Sequence, residues 1–375
     1  MARGVQGGGL MTDYEVWLTT DVGVRIALLD QVLWLGATRR VNDVGALTLG
    51  LPKSFDQTLL ERDRMVQVWR APRGGRLHMW RAYFVDGWRL ATQGNLDLLT
   101  VRGSDSNAIA GWRIIAYAAG ESESSKSGAA DDMMKEMVEE NLGSSAESAR
   151  DWSDYVTVQG DLSAGPSLEK RFAWKNLLDR LQNISLAAKE AGTEVWFDFV
   201  PVVGVDSMTF DFRTYTGQPG ADRTADSAQT VFDQERGNLE EAFLEYEYRG
   251  EVTYCYALGQ GQLSHRQTSE QSDDERIDAS YWGRKECAVQ ALRATTANGL
   301  RDAARARLRE GRPKRHFGGR PLDTAGTRFG RDWDVGDKVV ARYRGEEFEP
   351  IVEAVQVFVT GSGQERVLAR LEWES

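Results

Sequence analysis

Catalysis and metal binding need particular side chains in particular company, and the 375-residue sequence offers few such sets. The three histidines, His78, His265 and His316, are scattered, with neither a His-x-x-x-His spacing nor a cysteine pair beside them. A tetrahedral zinc site needs ligands that converge, so surface or partly packed rings are the simpler reading. There is no Gly-x-Ser-x-Gly elbow for a nucleophilic serine and no Gly-x-x-x-x-Gly-Lys-Ser/Thr loop to cradle phosphates. Gly259-Gln260-Gly261-Gln262 lacks a third glycine and reads as a turn. Cys255 lies in an aromatic strand pattern and Cys287 in a helical one, and neither context would activate a thiol. Both read as packing residues, preferably free thiols, although spacing leaves open whether they pair.

Four carboxylates on strand patterns, Asp198, Asp211, Glu245 and Glu247, could supply the acid and nucleophile of a cell-wall glycosidase. They alternate with aromatic residues, as solvated strand positions do, and that reading is preferred. The basic run Arg301, Arg305, Arg307, Arg309, Arg312, Lys314, Arg315 and His316 could meet phosphates or an acidic protein, but a solvated helix face and its trailing loop account for it equally. Asn183-Ile184-Ser185 fits a glycosylation acceptor but falls inside an amphipathic helix pattern. No catalytic, cofactor-binding or metal-ligating residue is expected, and no cofactor.

The elements that would position these residues are mostly strands. Thirty-eight glycines against eight prolines, with 10% aromatic residues, indicate a turn-rich β protein, and 41% hydrophobic residues suffice for two to four packed modules. The formal net charge of -11 opposes a role in coating nucleic acid or an anionic bilayer. Two cysteines make no disulfide framework. Residues 1–12 are glycine-rich without the apolar core of a secretory signal, and no run approaches the roughly 20 apolar residues of a membrane span. The expectation is a soluble protein made in a reducing cytosol, with a flexible N-terminus over residues 1–12.

Along residues 14–51, Tyr14-Glu15-Val16-Trp17-Leu18 alternates, residues 24–29 follow a turn, and Asn42-Asp43-Val44-Gly45 separates Leu33-Trp34-Leu35 from residues 46–51. These predict strands and hairpins. Residues 121–128, rich in Ser, Glu and Lys, predict a mobile loop. Asp131-Asp132 opens a short helix with Met133, Met134, Met137, Val138 and Leu142 on one side. A clearer helix carries Trp174, Leu177, Leu178, Leu181, Ile184 and Ala188, stopped by Gly192. Val195, Phe197 and Phe199, then Met208, Phe210 and Phe212, alternate as a hairpin that this helix can cover. Two joined strands, 242–248 and 252–258, a polar stretch over 264–278 and a helix over about 283–310 follow. Ala288, Leu292, Leu300, Ala304 and Leu308 are that helix's inner positions.

One pattern occurs twice. Asp63 precedes Met65-Val66-Gln67-Val68-Trp69, a Gly74-Gly75 turn leads into residues 80–88, and residues 96–101 form a third run. Gly336-Asp337 likewise precedes residues 338–343, a turn at Gly345 leads into 348–359, and 365–373 follow Gly361-Ser362-Gly363. Both are predicted as three-strand meanders, a repeated architecture rather than a proven duplication.

Arg39-Arg40-Val41-Asn42-Asp43-Val44-Gly45-Ala46-Leu47-Thr48-Leu49-Gly50-Leu51-Pro52 resembles the opening hairpin of the baseplate or tail-tip hub proteins of tailed phages, particularly the minor tail proteins of long-tailed actinobacterial phages. Asp222-Arg223-Thr224 with Gly237-Asn238-Leu239 is similar to that family's middle, and Gly336-Asp337-Lys338-Val339 to its final barrel. The resemblance covers most of the chain, and the order of the motifs carries it. It implies an α+β, mainly β fold, with two tube-like antiparallel β-barrel domains flanking a helix-plus-hairpin α+β module. The corresponding boundaries are 13–103 for the first barrel, 104–235 for the peripheral module, and 236–375 for the second barrel with its inserted helix. It further implies a non-enzymatic hub subunit in the virion, made in the host cytoplasm. That subunit is a homotrimer that closes the tail tube and meets a distal tail ring, tape measure and tip or fibre proteins, with DNA passing through an acidic lumen. Relatives often carry a peptidase or fibre extension after the last strand. The competing readings are a virion-associated cell-wall hydrolase and a carbohydrate-binding receptor protein, the latter suggested by twelve tryptophans.

Overall fold

Strands dominate the chain in the computed structural model, which describes residues 13–372 apart from 73–74, 94–95, 118–120, 122, 206, 226–228, 293, 295 and 323. Residues 1–12, Gly74 of the Gly74-Gly75 turn, and residue 122 of the expected loop lie outside the described residues. The class is mainly β, α+β, as the resemblance implies. Two compact units divide the chain: one takes the residues up to Phe243 and resumes at Phe317, and the other is Leu244–His316.

In the first unit the opening segment folds as its alternation predicts. It gives β1 (Tyr14–Thr19), β2 (Arg25–Leu28), β3 (Trp34–Arg40), β4 (Ala46–Pro52), β5 (Met65–Arg70), β6 (His78–Gln93) and β7 (Leu96–Asp105). The middle segment contributes α1 (Ala108–Gly111), β8 (Ser124–Ala129), α2 (Ala130–Leu142), β9 (Val156–Val158), β10 (Ser167–Phe172), α3 (Leu177–Glu190), β11 (Val195–Val203) and β12 (Met208–Thr216). Then come β13 (Val231–Asp233) and β14 (Leu239–Glu247). The second unit adds β15 (Tyr254–Leu258), β16 (Thr268–Ser272), α4 (Asp274–Ala279), β17 (Glu286–Gln290) and α5 (Ala297–Glu310). The chain closes with β18 (Lys314–Pro321), β19 (Val340–Tyr343), β20 (Glu346–Phe348), β21 (Ile351–Thr360) and β22 (Glu365–Glu372).

The first and last segments share one 11-stranded sheet, ordered β14-β18-β22-β21-β3-β4-β7-β6-β5-β1-β2. Its seam is the antiparallel pairing of β21 with β3, from Ala354 opposite Arg40 to Thr360 opposite Trp34. No closed barrel appears among the described pairings, and the two regions expected as barrels are joined edge to edge through β3 and β21. The first meander, β5-β6-β7, is paired as expected. The second differs, because β19 leaves the large sheet to pair parallel with β13 and antiparallel with β20. Only its last two strands, β21 and β22, are joined as a hairpin.

The middle module packs α2 and α3 over β11, β12 and β9, with Met134, Met137, Val138, Leu181, Ile184, Phe197 and Phe212 fully buried. Each such side chain contributes about 1.5–3 kcal/mol by leaving water. Residues 124–129 pair with β10 instead of forming a loop, which places Lys126 between Glu136 and Glu140 of α2. Asp131 and Asp132 do not cap their own helix; their carboxylates accept the backbone N–H groups of Ala164, Leu162 and Ser163. Trp174, expected on the α3 stripe, precedes the helix at φ 49° and is exposed.

In the second unit β15 lies between β16, antiparallel, and β17, parallel, and α5 covers the sheet with Leu300, Ala304 and Leu308. The expected 242–258 hairpin is absent from the described pairings: β14 joins the large sheet and β15 this one. The helix expected over 283–310 begins only at Ala297, where the Thr296 side chain caps it, and Ala288 sits in β17. Alternation in Glu286-Cys287-Ala288-Val289-Gln290 sets a strand there. The polar stretch over 264–278 holds β16 and α4; Arg276 of α4 donates to the carbonyls of Leu308 and Gly311, closing the C-terminal end of α5.

The Asn176 side chain accepts from the amides of Leu178 and Asp179 and donates to the Gly111 carbonyl, joining α3 to α1. Replacing an N-cap of this kind costs about 0.5–2 kcal/mol. Asn176→Ala is expected to fall at the upper end, and the urea midpoint of the full chain measures it.

Candidate functional site

Arg81 is the side chain around which the first unit is organised. It lies on β6 in the run Trp80-Arg81-Ala82-Tyr83, every member of which is buried, and is itself 1% exposed. Its Nε donates to Asp105 Oδ2 at 3.0 Å, and its two terminal nitrogens grip both oxygens of Asp198 at 3.0 and 2.7 Å. Arg39 on β3 adds a bond to Asp198 Oδ2 at 3.3 Å. Arg81, Asp105 and Asp198 are thus buried together, and the partly exposed Arg39, which also lies 3.8 Å from Asp334, joins them from β3. This cluster clamps β11 of the middle module against β3, β6 and β7 of the large sheet.

Electrostatics follow from that geometry. Burial alone would raise the Asp198 carboxyl, but Arg81 and Arg39 outweigh it and hold it below the usual carboxylate range. Burial pushes Asp105 up, Arg81 pulls it down, and the neighbouring Asp198 charge adds to the rise. The Arg81 guanidinium is held more firmly protonated than usual: burial opposes its charge and the two aspartates outweigh that.

Around the ion cluster, side chains stand in for a missing strand along the free edge of β11. Asn42 Oδ1 accepts from the Phe197 amide at 2.7 Å, Asn107 Oδ1 from the Phe199 amide at 2.8 Å, and Ser106 Oγ donates to the Phe199 carbonyl at 2.5 Å. Asn107 also donates to the Asp43 carbonyl and Asn42 to Ser185 Oγ. Gly45 closes the same corner: a Cβ there would stand 2.1 Å from the Thr38 carbonyl oxygen and 2.6 Å from Asp105 Oδ2. The motif spanning residues 39–52 is therefore a joint, and Ser185 of the Asn183-Ile184-Ser185 triplet is occupied in it, donating to Val195 O.

The other two motifs meet each other. Asp337, 3% exposed, accepts from the Ala221 amide at 2.7 Å, from Arg223 Nε at 2.7 Å and from the Asp334 amide at 3.0 Å. Gly336 takes φ 92° there, and a Cβ on it would meet Pro219 Cβ at 2.8 Å. Asn238 clamps its own turn, accepting from the Asp233 amide and donating to the Val231 carbonyl. A third cluster holds Arg70, which donates to Tyr14 Oη, both Glu365 oxygens and the Phe329 carbonyl.

The residues considered for chemistry are not gathered. Asp198 is buried and fully paired rather than solvated; Asp211 holds Thr157 and Arg213; Glu245 and Glu247 are exposed on β14. His78 and His265 are exposed, and His316 is half-buried. Among the described residues no group of three or more His, Cys, Asp or Glu side chains is placed to hold a metal ion. Several basic residues are engaged within their own unit: Arg305 with Gln271, Arg307 with Glu310, and Arg312 with Asp273. The Arg315 side chain lies outside the described residues. Gly259-Gln260-Gly261-Gln262 is a turn, with Gly261 at φ 96°. Cys287, expected in a helix, lies on β17 beside Cys255, and both are free thiols. Sequence reading missed Arg81, Asp105 and Asn107; a lone arginine inside a buried apolar run, and Asp-Ser-Asn directly after a strand, were the available signals.

A mainly β chain held together by buried ionic joints has the fold of phage tail proteins. It resembles the tail protein of Neisseria meningitidis MC58, with a TM-score of 0.57, 12% identity, and coverage of 96% of this chain and 97% of that one. It likewise resembles the 43 kDa tail protein of prophage MuSo2 from Shewanella oneidensis, with a TM-score of 0.58, 12% identity, and coverage of 95% and 98%. For prophage tail protein gp18 from Listeria monocytogenes EGD-e the values are 0.50, 12%, 96% and 94%. No curated protein matches the chain. Over residues 15–371 the chain belongs to the Siphovirus ReqiPepy6 Gp37-like protein family.

Removing one member of a buried pair leaves the other charge uncompensated, at a cost of about 3–5 kcal/mol. Arg81→Met is expected to lose that much by chemical denaturation, and Arg81→Met with Asp198→Leu to lose less than the sum of the single changes. The depressed Asp198 pKa gives the sign of the pH effect. Its stabilisation is present above the ordinary carboxylate value of about 4 and is lost as pH falls through the lower folded value. Asp105, shifted up, works in the opposite sense. Asp198→Asn is expected to be less stable at neutral pH, with a flatter decline below about pH 4 in the same titration.

Proposed function

We propose that the chain is a structural, non-enzymatic subunit of a phage tail, placed at the hub where the tube meets the host-facing tip and working as a homotrimer. The observation that carries this reading is the open 11-stranded sheet, whose terminal strands β2 and β14 each keep one edge unpaired among the described strands. Ile26 and Leu28 of β2 and Phe243 of β14 are exposed along those edges. Such edges invite pairing with another chain. Pairing of unlike edges is heterologous and makes a ring when the rotation per copy closes. Three copies, each giving an early and a late portion of the sheet, would present a pseudo-sixfold wall to a hexameric tube. Family membership and the shared tail-protein fold support the same setting.

Partners under this reading are a distal tail ring, the tape measure and tip or fibre proteins, with DNA only in transit. The net charge of -11 suits a channel that does not hold phosphates. The chain is made in the host cytoplasm and carried in the virion. One observation favours a second, carbohydrate-binding reading: Tyr281 and Trp282 are 94% and 80% exposed in the second unit, and rings of this kind stack on sugar faces. Binding on an array of cell-wall polysaccharides, lost in Trp282→Ala, would favour it.

Native mass measurement of the full chain is expected to give a trimer, with a ring in projection images. Ile26→Lys combined with Leu28→Lys is expected to return the protein to monomer with its far-UV circular dichroism unchanged and a thermal midpoint that no longer depends on concentration. A wild-type chain that stays monomeric at every concentration would remove the hub reading.

A further inference from the structure

Cys255 and Cys287 are direct partners in the register of the parallel pair β15–β17, and their Sγ atoms are 3.2 Å apart. Both are free thiols packed in the cluster beneath α5, together with Ala257, Leu300 and Ala304. We propose that this pair is an oxidation site at which a small-molecule disulfide of the glutathione class installs an intrachain bond stapling β17 to β15. Nothing in this chemistry requires the tail assembly.

The geometry needs little change. A disulfide needs Sγ atoms about 2.0 Å apart and Cα atoms about 4.4–6.8 Å apart, and neighbouring strands lie about 4.8 Å apart. Closure therefore takes about 1 Å of sulfur movement and no separation of strands.

Access sets the order of events. β17 is an edge of the sheet β16-β15-β17, and Cys287 on it is half-buried, whereas Cys255 on the central strand is buried. The reagent therefore meets Cys287 first. The Cys287 thiolate, its proton given to solvent, attacks one sulfur of the reagent disulfide; the reagent S–S bond breaks, a mixed disulfide forms, and one reagent thiolate leaves. Cys255 then gives up its proton and attacks Cys287 Sγ. The protein S–S bond forms, the mixed disulfide breaks, and the second reagent thiolate leaves. Two protein thiols have lost two electrons, and one reagent disulfide has become two thiols. Burial holds the Cys255 thiol up at about 12, with the adjacent Cys287 adding to the rise, so the second step is the slower one.

The bond would close residues 255–287 into a loop that includes α4, Tyr281 and Trp282. A cross-link of this span restricts the unfolded chain more than the folded one.

The test is equilibration of the full-length native protein with oxidised glutathione, followed by alkylation, intact mass and non-reducing peptide mapping. The expected product has lost two hydrogens, leaves neither thiol open to alkylation, and yields one peptide pair joined through Cys255 and Cys287, all reversed by dithiothreitol. Cys255→Ser is expected to stop at a glutathione adduct on Cys287. A native chain that keeps both thiols alkylatable, holds the adduct on Cys287 without resolving it, or links between copies would overturn the proposal.

Discussion

A single buried guanidinium sets the geometry of the first unit. Arg81 cannot leave its two carboxylates without stranding charge beside Tyr83, where the ring and both carboxylates are themselves buried. The hydrophobic faces of the sheet and of the middle module would tolerate several relative placements, because apolar contact has no direction. The three nitrogen–oxygen vectors from Arg81 do not. Bidentate pairing with Asp198 fixes both the distance and the rotation of β11, and the bond to Asp105 fixes the end of β7. A buried ion cluster of this kind adds little stability over a well-packed apolar one; its contribution is one defined position instead of several.

The same device recurs at other strand ends. Asp337 gathers two amides and a guanidinium where β19 turns away from β21, and Arg70 ties β5 to the start of β22 and to the Phe329 carbonyl. Asn42 and Asn107 supply β11 with the hydrogen bonds a neighbouring strand would give. In each case a polar side chain occupies a site where an unsatisfied backbone group would cost about 1–3 kcal/mol. The three stretches that resemble a phage family carry their Gly, Asn, Asp and Arg residues at such places. They are joints, and joints admit fewer residue types than strands do.

Local periodicity made much of this fold legible in the sequence. β1 to β7, α3 and the β11–β12 hairpin follow from alternation or from three- and four-residue steps, since one buried face imposes its period on the residues. What escaped was pairing at long range. Whether β21 completes a second barrel or joins β3 depends on which edges meet, and both alternatives use the same alternating residues. Polar strands escaped for a related reason: Ser124–Ala129 and Thr268–Ser272 have little apolar alternation, and their strand state comes from the neighbours they pair with. Cys287 was read as helical because Ala288, Leu292 and Leu300 also suit a helical stripe; Thr296, which caps α5, was the local signal for the later start. Asp198 was read as solvated because its strand alternates as a half-exposed strand does. Its burial depends on Arg81, more than a hundred positions away.

The open sheet raises a physical question that its own chain does not answer. Edge strands in monomers are commonly blunted by inward charges, proline or a covering loop. β2 is only four residues long, which limits its reach, and its Arg25 lies over the rings of Trp17 and Trp69 instead of projecting along the edge. Ile26 and Leu28 are then left on the outermost strand with no charged residue between them. At the opposite edge β14 carries Glu240, Glu241, Glu245 and Glu247, yet Arg320 pairs with Glu240, and Arg366 with Glu241 at 2.5 Å, drawing two of these charges back onto the sheet. One edge is short and apolar and the other is acidic with part of its charge already neutralised. Like edges would meet with matching charge or with little area, whereas unlike edges avoid both penalties. Head-to-tail pairing avoids both penalties and a two-fold pairing of like edges does not, which is the physical requirement of the ring proposed above.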